Sequence, residues 1–256
     1  MPTRGNPHGS GRTSVYDPLI NPNFPKSMWA DCPLAEYAHD PSIGVLLDLN
    51  WTSYDAAATT GDWVGTQATA GAAAVSTAAP GVLEVDCSST TQHQGFQIQR
   101  AKSAFLPAVG KDLWFEVNAK VVDTYDKAEI FLGLAELDTT IFASGVFSTN
   151  NHIGFGIVTA GAGALKLYSG KAGTAQSDTV ATIAEDTYFK VGFRLKLRSS
   201  GSTLEAWYND ALVSLTNVVV GTHAPIVAVY PSFLCQTDGT NDPILHLGAG
   251  RVFQLR

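Results

Sequence analysis

Carboxylates spaced two apart are the first groups in this sequence that could do chemistry: Glu84 with Asp86, and Glu136 with Asp138. On a strand, that spacing puts both side chains on one face. Glycoside hydrolysis needs such a pair flanking the cleaved bond, about 5 Å apart when configuration is retained. The Glu-x-Asp-x-x-Glu run of sandwich-fold glucanases would place a further acid three positions after Asp138, and Ile141 stands there. Isoleucine neither donates a proton nor attacks carbon, so acid catalysis by that scheme is not available. Both pairs read as solvated strand ends, and no catalytic residue is assigned.

Other site chemistries fail on spacing. Gly154-Phe155-Gly156 meets Thr159 where a dinucleotide loop needs a third glycine, and Gly170-Lys171 has Leu165 at the first Walker position. A Gly-x-Ser-x-Gly elbow is missing, and His8, His39, His93, His152, His223 and His246 never fall at metal-ligand spacing. Cys32, Cys87 and Cys235 are odd in number and far apart, which suggests reduced structural thiols. The loop from Gln236 to Asp242 has oxygen ligands enough for calcium but lacks the terminal glutamate of an EF-hand loop, so an Asx-type turn is expected. Neither cofactor nor metal is expected. Asn50-Trp51-Thr52 fits a glycosylation acceptor and, without a secretion signal, reads as a chance match. Sugar binding without hydrolysis needs less, an aromatic platform with some polar groups, and Trp114 and Trp207 fall on the outward register of their strands. Those two rings could equally line a second layer or anchor a protein contact.

The elements that must position these groups are strands. Phe189, Val191, Phe193, Leu195 and Leu197 alternate with Lys190, Gly192, Arg194, Lys196 and Arg198, the period of a strand with one buried and one wet face. Ser199 to Ser202 break the run, and Leu204, Ala206 and Tyr208 resume it, which predicts an antiparallel hairpin. Similar strands are predicted at 44–49, 81–85, 95–100, 113–122, 128–134, 152–158, 164–168, 211–213, 226–234 and 244–254, the last with a bulge at Gly248-Ala249-Gly250. The Ala-, Thr- and Gly-rich region 56–80 is expected to hold one or two weak strands. Almost no helix is expected, which excludes βαβ crossovers and leaves an all-β, two-sheet antiparallel sandwich.

Residues 1–44 read differently. Seven of the 12 prolines lie between Met1 and Pro41, with no sustained periodicity, as in an extended N-terminal arm before a sandwich domain at 45–256. Tyr16, Leu19, Ile20, Phe24, Met28 and Trp29 give that arm apolar side chains that need a surface, on a partner or on the chain itself. A net charge of −7 argues against nucleic acid as a partner. Neither a signal-peptide core nor a run of about 20 apolar residues is found, so membrane association and secretion are not expected.

The order of segments carries a resemblance. Trp51 and Trp63, then Pro80-Gly81-Val82-Leu83, Gly110-Lys111-Asp112-Leu113-Trp114-Phe115-Glu116, Gly133-Leu134-Ala135 with Asp138-Thr139, and Tyr188-Phe189-Lys190-Val191-Gly192 resemble tailed-bacteriophage structural proteins with a concanavalin A-like jelly-roll domain. The resemblance implies a virion protein, assembled in the host cytoplasm, that decorates or cements the capsid. Its partners would be the major capsid protein and neighbouring copies of itself in a homo-oligomer. The alternative is a carbohydrate-binding module that takes glycan on Trp114 or Trp207, displayed on the virion or in a tail fibre.

Overall fold

A computed structural model describes residues 28–54, 62–68, 71–123, 125–137, 140–158, 162–217, 220–239 and 241–256. Their strands, in chain order, are β1 (Gly44–Leu49), β2 (Val64–Ala68), β3 (Ala72–Val75), β4 (Leu83–Asp86), β5 (Gly95–Gln99), β6 (Leu113–Val122), β7 (Ala128–Ala135), β8 (Phe142–Ala143) and β9 (Val146–Phe147). There follow β10 (His152–Ile157), β11 (Ala164–Lys171), β12 (Thr174–Thr182), β13 (Phe189–Lys196), β14 (Thr203–Tyr208), β15 (Ala211–Val213), β16 (Tyr230–Thr237) and β17 (Ile244–Leu255). Two four-residue helices, α1 (Leu34–Tyr37) and α2 (Val220–His223), join them.

Two large antiparallel sheets stack face to face. One has eight strands in the order β15-β14-β13-β6-β17-β4-β3, with β1 also paired to β17; the other has seven, β12-β11-β10-β7-β16-β5-β2. β17 serves two neighbours along one side because it is 12 residues long: its first part pairs with β4 and its second with β1. Between them its register against β6 shifts from Leu247 to Gly250, at the glycine-rich bulge expected from sequence.

Alternation decides what lies between the sheets. Phe189, Val191, Phe193 and Leu195 of β13 point inward and meet Phe115, Val117, Phe155 and Phe233 in one continuous apolar core. The Phe115 and Phe193 rings stack at 5.3 Å. Trp51 closes one end of the core, its indole N–H donating to the Gly248 carbonyl at 2.7 Å and its ring 5.0 Å from that of Trp63. The Trp51 indole N–H is thereby matched while its ring adds apolar area.

The expected β13–β14 hairpin is present, and the expected run at 226–234 starts later, at Tyr230. Ile226 is 55% exposed, and α2 occupies Val220–His223 just before Pro225, which cannot continue a helix. β12, β8 and β9 were not expected. β12 reads TAQSDTVAT, polar on both faces, because it is an edge strand with little to bury. Its turn from β11 is nonetheless well specified: Ala172 and Gly173 have φ of 48° and 84°, the left-handed pair of a two-residue hairpin turn. Ser144 and Gly145 make the same kind of turn between β8 and β9.

Candidate functional site

The sandwich has two outer faces, and either could meet a ligand. On the eight-stranded sheet, Trp114 pairs with Arg194 and Phe253 in register, and Trp207 with Gly192, so both rings point away from the core as the alternation predicts. They do not reach solvent. Trp114 is 1% and Trp207 5% exposed, buried together with Phe253 and Met28 in a second apolar layer. Neither ring presents a flat face on which a sugar could stack, which corrects the sequence-based expectation of a surface platform there.

The covering layer is the segment Met28–Tyr37, a strap laid across the sheet. Met28 fits over β13 because residue 192 is glycine: a Cβ there would stand 2.5 Å from the methionine sulfur. Trp29 donates its indole N–H to Glu116 at 3.1 Å and lies under the Arg251 guanidinium, 5.8 Å from ring to charge. Asp31 accepts from Arg194 at 2.7 Å and has Lys196 at 3.5 Å. Arg194, itself buried, also donates to Glu205 at 2.6 Å and sits 5.7 Å over the Trp207 ring. Burial pushes the Asp31 carboxyl up, but the hydrogen bond and charge of Arg194, with Lys196, outweigh it and hold the group below its ordinary value. Tyr37 closes the far end, edge-on to Phe253 at 5.5 Å. Met28 and Trp29, expected to need a surface on a partner or on the chain itself, rest on their own chain; Tyr16, Leu19, Ile20 and Phe24 lie outside the described residues.

The other outer face, on the seven-stranded sheet, is closed only in part. Phe131 and Leu234 point outward and are capped by Ile141, Phe142 and the half-buried Phe147 of the β8–β9 hairpin. Gly133 and Gly154, on adjacent strands, leave room for the Phe131 ring to lie on the sheet; a Cβ at either would stand 2.9 Å from it. Phe147 in turn stacks on His152, at 4.1 Å and 8° between planes, and touches the Tyr168 ring at 4.5 Å. His152 Nδ1 lies 2.8 Å from the Asn150 carbonyl; a carbonyl only accepts, so Nδ1 carries the proton and Nε2 is a bare, buried acceptor without a hydrogen-bond partner. Burial lowers its pKa to about 4, and burial raises the Tyr168 phenol to about 12, so both are neutral near pH 7.

Beside this aromatic group lies a polar rim. Glu136 Oε2 accepts from the Asn151 side-chain amide at 2.8 Å and from its backbone N–H at 3.3 Å. The Glu136 carbonyl accepts from Gln99, whose amide also donates to Ser232 at 2.9 Å. Glu136, Asn150 and Asn151 are half-buried, and Leu137 and Val146 stand exposed nearby at 49% and 56%. Asp138, the partner of Glu136 in the sequence, lies outside the described residues. Glu84 and Asp86 share a face, as their spacing predicts, but have local partners: His246 at 3.7 Å from Glu84, and the Ser88 backbone N–H at 2.7 Å from Asp86. Among the described residues no three His, Cys, Asp or Glu side chains converge as a metal cage requires. Their helices include none long and apolar enough to cross a membrane.

A cavity of about 910 Å³ is lined on one side by apolar groups such as Leu106, Val109, Leu215 and Ile226 and on the other by the polar turn with Arg198, Ser199, Ser200, Ser202 and Thr203. Its guanidinium, Arg198, is engaged bidentately by Asp112.

Sequence reasoning placed Trp114 and Trp207 on the right face without seeing what covers it. It passed over Asn150, Asn151, Phe147 and Tyr168, for which the Ser144-Gly145 turn signal and the alternation in β11 were the available clues.

No family model matches the chain, and no curated protein matches it. Solved structures do. The carbohydrate recognition domain of Emp47p superposes with a TM-score of 0.56 at 10% identity, covering 84% of this chain and 98% of that one. The fold is the concanavalin A-like jelly roll. Lectin I from Ulex europaeus, in complex with the methyl glycoside of α-L-fucose, gives 0.56 at 9% identity, with 82% and 98% covered. Peanut lectin with a bound 9mer peptide gives 0.54 at 10%, with 83% and 99% covered. At these identities the jelly roll is shared and the sites are not thereby equated. None of these matches indicates a bacteriophage capsid protein.

Proposed function

We propose that this chain is a non-catalytic, lectin-like module that binds carbohydrate at the rim of its seven-stranded sheet. The observation that carries the reading is the Glu136–Asn151 pair beside the half-buried Phe147 ring, which packs on the buried His152 and Tyr168: a carboxylate and an amide set by the fold next to one partly exposed aromatic side chain. Sugars are recognised by that combination, with paired acceptors and donors for vicinal hydroxyls and an apolar face for ring C–H groups. The opposite sheet supports it by elimination, since the strap already covers the outward-pointing aromatic rings there. The printed descriptions of fold neighbours add weight: one is bound to a fucoside, and another, VIP36, to Ca²⁺ and Man3GlcNAc. Among the described residues no three His, Cys, Asp or Glu side chains converge at this rim, and calcium is not part of the reading. In this reading the protein acts by holding its ligand, and Glu136 positions rather than protonates.

A glycan array probed with the full chain tests the proposal. A selective hit, weakened at least tenfold by Asn151→Ala with the fold intact, is the expected result. A silent array together with stoichiometric co-purification with phage particles would instead favour virion decoration, the first expectation from sequence.

A further inference from the structure

The Phe147 ring covers an acceptor that has nothing to accept. His152 is 3% exposed, its Nδ1 proton is held by the Asn150 carbonyl, and Nε2 belongs to a ring capped by Phe147 at 4.1 Å and has no hydrogen-bond partner. Buried polar side chains are matched in the large majority of cases, so an acceptor left bare asks for a donor. Gly170 is what makes room for the imidazole on the sheet, since a Cβ there would stand 2.7 Å from Nε2.

The seat that Phe147 fills suits a sugar ring. Gly156 lies beneath it, and a Cβ at that position would stand 3.4 Å from the Phe147 Cζ and 3.6 Å from the Tyr168 ring, so the floor is bare backbone. His152 and Tyr168 are its walls, with ring centroids 4.1 and 4.5 Å from that of Phe147. A phenyl and a pyranose are both six-membered rings, so a seat shaped to one accommodates the other, with ring C–H groups against the aromatic walls. The pyranose also carries hydroxyls, which are the donors that Nε2 lacks.

The covering side chain is mounted so that it can leave. Phe147 belongs to the β8–β9 hairpin, whose ladder joins Phe142 to Phe147 and Ala143 to Val146 and which adds no strand to either large sheet. Its ring is half-buried, and its neighbour Val146 is 56% exposed. Displacing the ring therefore leaves the seven-stranded ladder whole, in the manner of a local opening. With Phe147 in place Nε2 is unmatched, and with a hydroxyl in its place Nε2 is matched, so the two states differ by one satisfied buried acceptor in favour of the occupied one.

We propose that Phe147 is a displaceable lid, and that a pyranose ring of the bound glycan takes its seat on Gly156 between His152 and Tyr168 and donates a hydroxyl hydrogen bond to His152 Nε2. This inference rests on the carbohydrate reading of the same rim and adds the depth of the site and the polar contact inside it.

The test titrates the full chain and two variants with the methyl pyranoside of the sugar selected on the glycan array, by calorimetry. Phe147→Ala should bind at least as tightly as the wild type, because no side chain then competes for the seat. His152→Leu should bind at least tenfold more weakly. A tenfold loss with Phe147→Ala would make the ring a platform rather than a lid and overturn the proposal, as would undiminished binding by His152→Leu. Should a variant fold poorly, the wild type answers alone with diethyl pyrocarbonate. The bare Nε2 attacks a carbonyl of that reagent and expels ethyl carbonate, which goes on to carbon dioxide and ethanol as the Nδ1 proton is lost. Peptide mass spectrometry should find His152 labelled while the buried Cys235 stays inert to N-ethylmaleimide, and the methyl pyranoside should slow the labelling at least tenfold. Labelling only in step with Cys235, or unslowed by the sugar, would overturn the proposal. A silent array would fail the carbohydrate reading and the subsite with it, whereas a selective hit whose binding ignores His152 would fail the subsite alone.

Discussion

The two outer faces of this sandwich solve the same problem differently. Each sheet has aromatic side chains pointing away from the shared core: Trp114, Trp207 and Phe253 on one, Phe131, His152 and Tyr168 on the other. The eight-stranded sheet hides its rings under a segment from outside the sandwich, anchored by charge at Arg194. The seven-stranded sheet hides Phe131 under a hairpin grown from its own loop, which covers part of the face and leaves an amide- and carboxylate-bearing rim beside it. The borrowed cover buries the aromatic rings beneath it; the local one leaves an edge where a ligand can be met.

The sharpest way to break that comparison is to remove a ring from the covered face. Trp114→Ala deletes a side chain only 1% exposed and should cost about 3–5 kcal/mol, read as a lower urea midpoint. A cost under about 1 kcal/mol would mean that the strap does not bury it. Next in size is the pH dependence of the other face. His152 titrates near 4 when folded against 6.5 ordinarily, so the unfolded chain binds the extra proton first. Stability should therefore fall as pH drops from about 6.5 to about 4, by up to about 3 kcal/mol, and level off below. His152→Leu should flatten that slope in denaturant titrations, whereas an unchanged slope would place its origin elsewhere.

Smaller effects sharpen the picture of the strap. Asp31→Asn removes an ion pair that is 60% exposed on the acid side, and such pairs contribute about 0–1 kcal/mol. The expected outcome is little change in the urea midpoint but faster amide exchange across residues 29–37. Because Arg194 holds the Asp31 pKa down, the same loosening should develop in the wild type only as pH falls below the ordinary aspartate range. Equal exchange in both proteins at neutral pH would show that the apolar contacts of Met28 and Tyr37 suffice.

How much of this was legible in the sequence follows from what each residue contacts. The run from Phe189 to Leu197 announced its strand because one of its faces meets a core of fixed polarity. The other face was misread as wet: Lys190, Gly192, Arg194 and Lys196 look solvated in one dimension, and only the fold brings Met28 and Asp31 over Gly192 and Arg194, more than 160 positions away. β12 escaped notice because an edge strand with polar residues on both faces has no alternation to display. Glu136 was singled out for a spacing that would have suited acid catalysis, and the structure gives it an amide partner 15 residues on, which no local pattern encodes. Periodicity reports burial against the core; it says little about what a loop or a leader will lay on top.

The central claim, that ligand is met at the rim of the seven-stranded sheet, is most directly tested by titrating ¹⁵N-labelled full chain with the glycan selected on the array and mapping amide shifts. The account predicts that perturbed resonances cluster at Glu136, Phe147, Asn150, Asn151 and Tyr168, with those of the strap unmoved. Shifts gathered instead on Met28–Tyr37 and Trp207 would contradict it and return the site to the opposite face.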